Sequence, residues 1–458
     1  MPVTSSVGHV PDDVAADRSP ALPTPPLRGL LRHGDFRRLW SAQTVSALGS
    51  QITLLALPLT GLLVLHAKPY EVALLATAAS LPTLAVGIPA GVWVDRVRKR
   101  PVMVAADLAR AAMLASLPAA YALGLLTLPH LYVVAVVNGA FSTLFEIASQ
   151  AYLPSVVARE QLIEANAKFE TSRVVAWSSG PGAAGALISL VTAPVALLAD
   201  AASFAVSACL IHSVSTHEPG PAVPQDRVDG RRRELSEGGR YVLGHPYLRP
   251  LLLGHALANL ALGLVWAIVI VYAVRELGVT AATVGLVLSL GQIGGLLGTV
   301  FGRRLAARLG VGQTVVTSLF LFAPATLLLA IAPRDLATVF LALGWILENL
   351  ARALYGVSAT SIRQALVPDR LLARATGFTT TAGTGAFPIG TAIGGALAGV
   401  LGLRQAMLFG AGVALLPFLA VAVSPVRSLR TVSPGTRDPE ALLRPKEAPP
   451  AHQSPDLS

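Results

Sequence analysis

Twelve apolar stretches, each about as long as a bilayer's hydrocarbon core is thick, take up most of this 458-residue chain. They cover residues 39–65, 72–94, 101–126, 131–152, 174–191, 195–214, 251–274, 281–301, 313–331, 336–357, 375–402 and 406–424. Backbone amides inside lipid must be satisfied within the protein, which leaves helices or a closed barrel. These runs are continuously apolar rather than alternating, so they predict membrane-spanning helices. Composition agrees: 53% of residues are apolar and 13% charged, against about 25% charged in a soluble domain. A soluble enzyme, a disordered chain, a secreted disulfide scaffold and a transmembrane barrel are all disfavoured. The single cysteine, Cys209, excludes an internal disulfide and any metal site built from cysteines.

The formal net charge of +10 acquires meaning from its distribution. Alternating the spans with the amino terminus inside puts 29 of the 35 basic residues in the two tails and the loops on their side of the membrane. The opposite loops hold Lys68, Arg275, Arg334 and Arg404, and Arg110 and Arg352 lie within spans. That asymmetry is the positive-inside pattern and predicts two cytoplasmic termini. The basic residues are dispersed, with no interleaved aromatics, so nucleic acid is not an expected partner. The reading divides the chain into a polar tail (1–35), six spans (36–214), a polar central loop with Arg231–Glu234 (215–249), six further spans (250–424) and a second tail (425–458). Both tails are expected to be disordered and cytoplasmic; the first has no apolar core of the kind a signal peptide needs.

The two sets of six spans repeat three landmarks at a spacing of about 210 residues. Phe36-Arg37-Arg38-Leu39 parallels Leu248-Arg249-Pro250-Leu251, and Gly91 through Arg96 parallels Gly298 through Arg303. Gln150 through Pro154 parallels Gln364 through Pro368. Duplicated halves are characteristic of secondary transporters.

The loop after span 2, Gly91-x-x-x-Asp95-Arg96-x-Arg98-Lys99-Arg100, resembles the signature loop of the major facilitator superfamily, with Arg98 in place of its second glycine. The resemblance extends over all twelve spans. The stretches Asp35–Trp40, Asp200–Phe204 and Leu366–Asp369 are similar to the macrolide-efflux and siderophore-exporter branch. It implies an all-α fold of two six-helix halves and no enzymatic activity. Physically, Gly91 admits a close helix neighbour, and Asp95 one turn on can pair with an arginine or cap a facing helix amino terminus. By resemblance, Gly91, Asp95 and Arg96 latch the cytoplasmic ends of the halves together in the outward-open state. Arg98, Lys99 and Arg100 read as positive-inside anchors.

Span 5 carries Gly180-Pro181-Gly182 and Gly185, which resembles the superfamily's antiporter signature; Phe387-Pro388 with Gly394-Gly395 in span 11 is its counterpart. Proline bends a helix and glycine lets two helices approach, as a rocking interface requires. Charged groups inside lipid usually mark function, and six stand out: Asp107, Arg110, Glu146, Asp200, Glu348 and Arg352. Asp107 with Arg110 and Glu348 with Arg352 can pair on one helix face, and the first pair reads as structural. A carboxylate withdrawn from water holds its proton more tightly. Glu146, then Glu348, then Asp200 are therefore the expected proton-coupling candidates. The arginine that many proton-driven drug exporters carry in span 4 is absent, that stretch reading Val136-Val137-Asn138-Gly139-Ala140.

By resemblance the substrate cavity lies at mid-membrane between the halves, with Gln43, Gln51, Asn138, His255, Asn259, Trp266, Asn349 and Arg352 as candidate lining residues. So few polar groups suit a lipophilic ligand. The sequence thus predicts a monomeric multi-pass transporter of a bacterial inner membrane, surrounded by lipid and needing no metal or cofactor. It would export a lipophilic small molecule, such as an antibiotic, in exchange for protons. A metabolite importer of the same fold is the alternative, and a polytopic membrane enzyme or scaffold a more remote one.

Overall fold

The computed structural model describes residues 29–216, 218 and 237–430, apart from the side chains of Leu84, Gly87, Ile88, Val92, Asp95 and Asp369. The expected tails up to residue 28 and from 431, and Arg231–Glu234 of the central loop, lie outside the described residues. The described chain begins earlier than the expected tail boundary at 35. A 3-10 turn at Leu30–Arg32 leads into the first helix at Gly34, and Asp35 accepts hydrogen bonds from the Ser215 amide (3.0 Å) and the Thr216 hydroxyl (2.7 Å).

The described residues are helical throughout: α1 Gly34–Leu63, α2 Pro69–Asp95, α3 Lys99–Ala122, α4 Leu128–Val156, α5 Leu162–Val191 and α6 Ala193–His212 precede the central loop. After it come α7 Leu248–Arg275, α8 Ala281–Leu309, α9 Val311–Ala330, α10 Ala337–Leu366, α11 Asp369–Thr384, α12 Ala386–Leu401, α13 Leu403–Val413 and α14 Leu416–Ala422. Eleven helical segments among the described residues are long and apolar enough to cross a membrane. In this count α11 and α12 form one bent span, broken at Gly385, and α13 and α14 another. The 27-residue α2 is not among the eleven, but it has no charged residue between Glu71 and Asp95.

Local chemistry sets the boundaries. Pro69 opens α2, where its missing N–H costs nothing, and the Glu71 carboxylate accepts the Lys68 amide at 2.7 Å. Thr280 caps α8 through the Thr283 amide. The turns before α6, α9 and α13 share one unusual backbone shape: Thr192 at φ 94°, ψ 155°, Gly310 at φ 90°, ψ 154° and Gly402 at φ 87°, ψ 162°.

Helix packing follows a repeated pattern. α1 packs on α5 and α6, α3 on α4 and α6, and α2 on α4. In the second half α7 packs on α12, α13 and α14, α9 on α10 and α13, and α8 on α10. Between the halves α5 packs on α8 and α2 on α12.

The ends of the described chain, Gly29 and Arg430, lie at what we term the terminal end of the bundle, with the helix connections at 64–68, 192 and 276–280 at the far end. The apolar core differs between the two. Toward the far end one continuous cluster joins both halves, including Leu59, Val72 and Ile188 with Ile268, Tyr272 and Met407. Toward the terminal end it divides into a first-half cluster around Phe36, Met103 and Tyr152 and a separate second-half cluster around Leu248, Tyr355 and Ile362.

Candidate functional site: a cavity between the two halves

Below the shared core lies a cavity of about 710 Å³ bounded by α1, α2, α4 and α5 on one side and α7, α8, α10 and α12 on the other. Its walls are mainly apolar. Aromatic rings give them shape: Trp266 and Trp345 lie 5.5 Å apart at 31°, and Trp177 and Phe387 also face the space. Four of the expected lining residues, Asn138, Trp266, Asn349 and Arg352, line it.

The other four lie elsewhere. Gln43 donates to the Ser149 hydroxyl of α4. Gln51 is buried against Gly180 of α5. The His255 ring stacks on Tyr355 at 6.0 Å and lies against Gly383, while Asn259 donates to the His255 carbonyl at 2.9 Å. His255 thus packs α7 against α10 and α11 of the second half, whereas the Asn259 bond stays within α7.

Glu170 and Arg173, absent from the expected site, also line the cavity and form a two-pronged pair at 2.7 and 2.9 Å. The apolar span read from the sequence begins at 174, but α5 begins at Leu162. Of the residues 162–173 that precede the apolar run, Glu170 and Arg173 line the cavity. On the opposite wall Arg352 reaches Glu348 at 3.3 Å; the arginine side chain is 46% exposed and the glutamate 5%. Glu348 therefore sits behind Arg352, screened from the space.

The antiporter-like segment lies on the seam between the halves. The Gly182 amide donates to the Ser289 hydroxyl at 2.9 Å, and Gly185 faces the Ala281 carbonyl of α8. A Cβ on Gly285 would strike the Pro181 carbonyl, so this approach needs the glycine. The matching contact joins α2 to α12, where Thr77 donates to Thr391 at 3.0 Å and Ala73 faces Gly395. The two seams floor the cavity at the far end.

Near the signature loop, Asp95 is the last residue of α2 and Arg96 its exposed cap, with Gly91 half-buried one turn before. The Asp95 carboxylate lies outside the described side chains, so its partner stays an expectation. Arg98 makes the turn with an extended backbone at φ −68°, so the missing glycine requires no left-handed residue. Glu218, 119 residues from Lys99 in sequence, accepts the Lys99 and Arg100 amides at 2.7 and 3.3 Å and caps α3.

The remaining ionisable candidates separate by exposure. Glu146 is exposed, and its charge reaches Arg173. Asp107 and Arg110 are paired and buried, as the spacing suggests. Asp200, fully buried on α6, accepts hydrogen bonds from Thr53 of α1 and from Ser203, the latter at 2.9 Å. Spacing along the chain could not reveal that α3–α6 packing brings Asp200 into the field of the Asp107–Arg110 pair.

With this geometry in hand, comparison with known proteins identifies the architecture. The transmembrane secretion effector family matches residues 26–446. The multidrug efflux pump Tap of Mycolicibacterium fortuitum is 25% identical over 382 residues, 81% of this chain and 90% of that protein. The uncharacterized MFS-type transporter YfiS of Bacillus subtilis (strain 168) is 26% identical over 182 residues, a stretch spanning 38% of this chain and only 40% of YfiS. Among solved structures, a bacterial homologue of the iron transporter ferroportin in the inward-facing state superposes with TM-score 0.67 at 19% identity, over 86% of this chain and 98% of that one. For a bacterial ferroportin homologue in the outward-facing state the TM-score is 0.54 at 20% identity, over 85% and 97%. The chain belongs to the transmembrane secretion effector family, a group of major facilitator superfamily transporters.

Proposed function

We propose that this protein exports lipophilic small molecules from a bacterial cell across the inner membrane in exchange for protons, as a monomer working by alternating access. The observation that carries the reading is the cavity between the halves. It is large, walled by aromatic and aliphatic side chains, floored at the far end by two seams, and flanked toward the terminal end by two separate cores. A lipophilic ligand gains about 25 cal/mol for each Å² of apolar surface withdrawn from water, so such walls retain it without many directed hydrogen bonds.

Several features support the finer parts. The matched packing pattern, the paired seams and the equivalent backbone at Thr192 and Gly402 favour two related halves of six spans, with α2 as the twelfth. The concentration of arginines at the terminal end favours cytoplasmic termini, in which case the cavity faces inward. The higher similarity to an inward-facing transporter than to an outward-facing one accords with this. Similarity to a multidrug efflux pump over 81% of the chain favours export. Partners are a lipophilic substrate, protons and the surrounding lipid, without nucleic acid.

The test is uptake of labelled lipophilic antibiotics into inverted vesicles, acid inside, from cells expressing the protein. Accumulation that collapses with the pH gradient is expected. Failure of every compound to accumulate, or accumulation indifferent to the gradient, refutes proton-coupled export.

A further inference from the structure

The first half encloses a charge cluster that its packing cannot neutralise. Asp107 and Asp200 are both fully buried and Arg110 is 4% exposed. The Arg110 guanidinium sits between the rings of Phe145 (4.6 Å) and Phe204 (4.1 Å), pairs with Asp107 and reaches the Ser142 hydroxyl at 3.4 Å. Asp200 lies one helical turn before Phe204 on α6, within reach of the charges of Arg110 and Asp107. Two carboxylates and one guanidinium carry a net charge of −1, and among the described residues no second cation faces them. α1 presents the Thr53 hydroxyl, α4 Ser142 and Phe145, and α6 itself Ser203 and Ser207. α5 carries its charged residues within its first dozen positions, Glu164 to Arg173, and is apolar at the level of Asp200.

An unbalanced charge in a dry helical bundle is costly, and the economical remedy is a bound proton. The hydrogen bonding has a place for one. Asp107 Oδ2 and Ser207 Oγ are both buried and have no hydrogen-bond partner, and Ser207 is a neighbour that acts on Asp107. The cluster also has a link to the cavity, because the Thr53 side chain lines that space and donates to Asp200 Oδ2. At Gly49 a Cβ would collide with Ser203 and with Asp200 Oδ1, so the glycine lets α1 approach α6 closely there.

We propose that Asp107, Arg110 and Asp200 form a proton-binding site that holds one proton, on one or other of the two carboxylates, and exchanges it with the cavity past Thr53. Two acids coupled in this way titrate as a unit rather than as separate residues. The inference builds on proton-coupled export but places the proton in the first half, away from the exposed Glu146 and from the self-neutralised Glu348–Arg352 pair. A proton gained or lost here changes the α1–α3–α6 contact and the cavity wall at Thr53 together, which is the coupling an exchanger needs.

Charge counting dictates the test, which uses the purified full-length protein in lipid nanodiscs and follows the infrared carboxylic-acid stretch from acid to alkaline pH. Wild type should lose one more protonated carboxyl across the titration than either Asp107→Asn or Asp200→Asn, since removing either acid leaves a neutral pair. Arg110→Gln should gain one, because both acids must then be protonated. An unchanged band in both Asn variants, or no gain in Arg110→Gln, overturns the site. Having two Asn variants guards against the misfolding of one. In proteoliposomes Asp200→Asn should lose at least tenfold in gradient-driven accumulation. If wild-type accumulation ignores the pH gradient, proton-coupled export fails while the infrared count still judges the site. If wild type responds and Asp200→Asn responds equally, the site assignment fails and the export reading stands.

Discussion

At the far end of the bundle one apolar core runs through both halves, whereas at the terminal end each half has its own. The difference follows from residue size along two helix pairs. Gly185, Gly285 and Gly395 bring backbones together where α5 meets α8 and α2 meets α12, while the terminal portion of the bent span, α11, packs on α7 within its own half. A break at Gly385 separates these two duties. The halves thus touch where small residues permit contact and stand apart where polar ones line the gap. Under the proposed alternating access, opening the seams exposes the cavity to the other side, so substitutions there should change which end is open.

The most severe change is a covalent lock. Replacing Thr77 and Thr391 by cysteine in a Cys209→Ser background should allow a disulfide, since the hydroxyls are 3.0 Å apart. Transport in vesicles should cease under oxidation and return on reduction; continued transport with the bond formed would show that this seam need not open. Gly285→Leu comes next. Overpacking of a close contact costs about 1–3 kcal/mol, which would shift the equilibrium away from the closed far end about 5- to 150-fold. Increased labelling of a far-end cysteine would report it. Within the cavity, Trp345→Ala removes an aromatic face on which a ligand can stack, a contact worth about 0.5–1.5 kcal/mol. It should raise the substrate KM up to about tenfold, with the protonated-carboxyl count unchanged. Ser289→Ala is the mildest, losing one hydrogen bond of about 1 kcal/mol and shifting the same equilibrium about fivefold.

Much of this was legible in the sequence, for reasons that particular residues make clear. Apolar runs long enough to cross a bilayer announce the helices, and the Gly180–Gly185 pattern marks a close-packed seam before its partner helix is known. The i,i+3 spacing of Asp107 and Arg110 is enough to foresee their pairing, and Glu348 with Arg352 behaves likewise. What was hidden depends on non-local packing. Asp200 is 93 residues beyond Asp107 and joins it only because α3 lies against α6. Glu146 falls within an apolar run, yet it is exposed and near enough to Arg173, which lines the cavity, for their charges to interact. α5 begins twelve residues ahead of its apolar run and brings Glu170 and Arg173 to the cavity. Glu218 caps α3 from beyond α6, a contact without any local sequence signal.

The central claim is that the two ends open in alternation. Spin-label pairs at exposed positions, Leu125 with Val400 at the far end and Ile163 with Val423 at the terminal end, can be placed in the Cys209→Ser background, since all four side chains are 68% exposed or more. Pulsed electron-spin distance measurements over a pH titration, with and without a transported compound, should show the far-end distance lengthening as the terminal-end distance shortens. Two distances that change in the same sense, or that stay fixed while transport proceeds, would contradict the account.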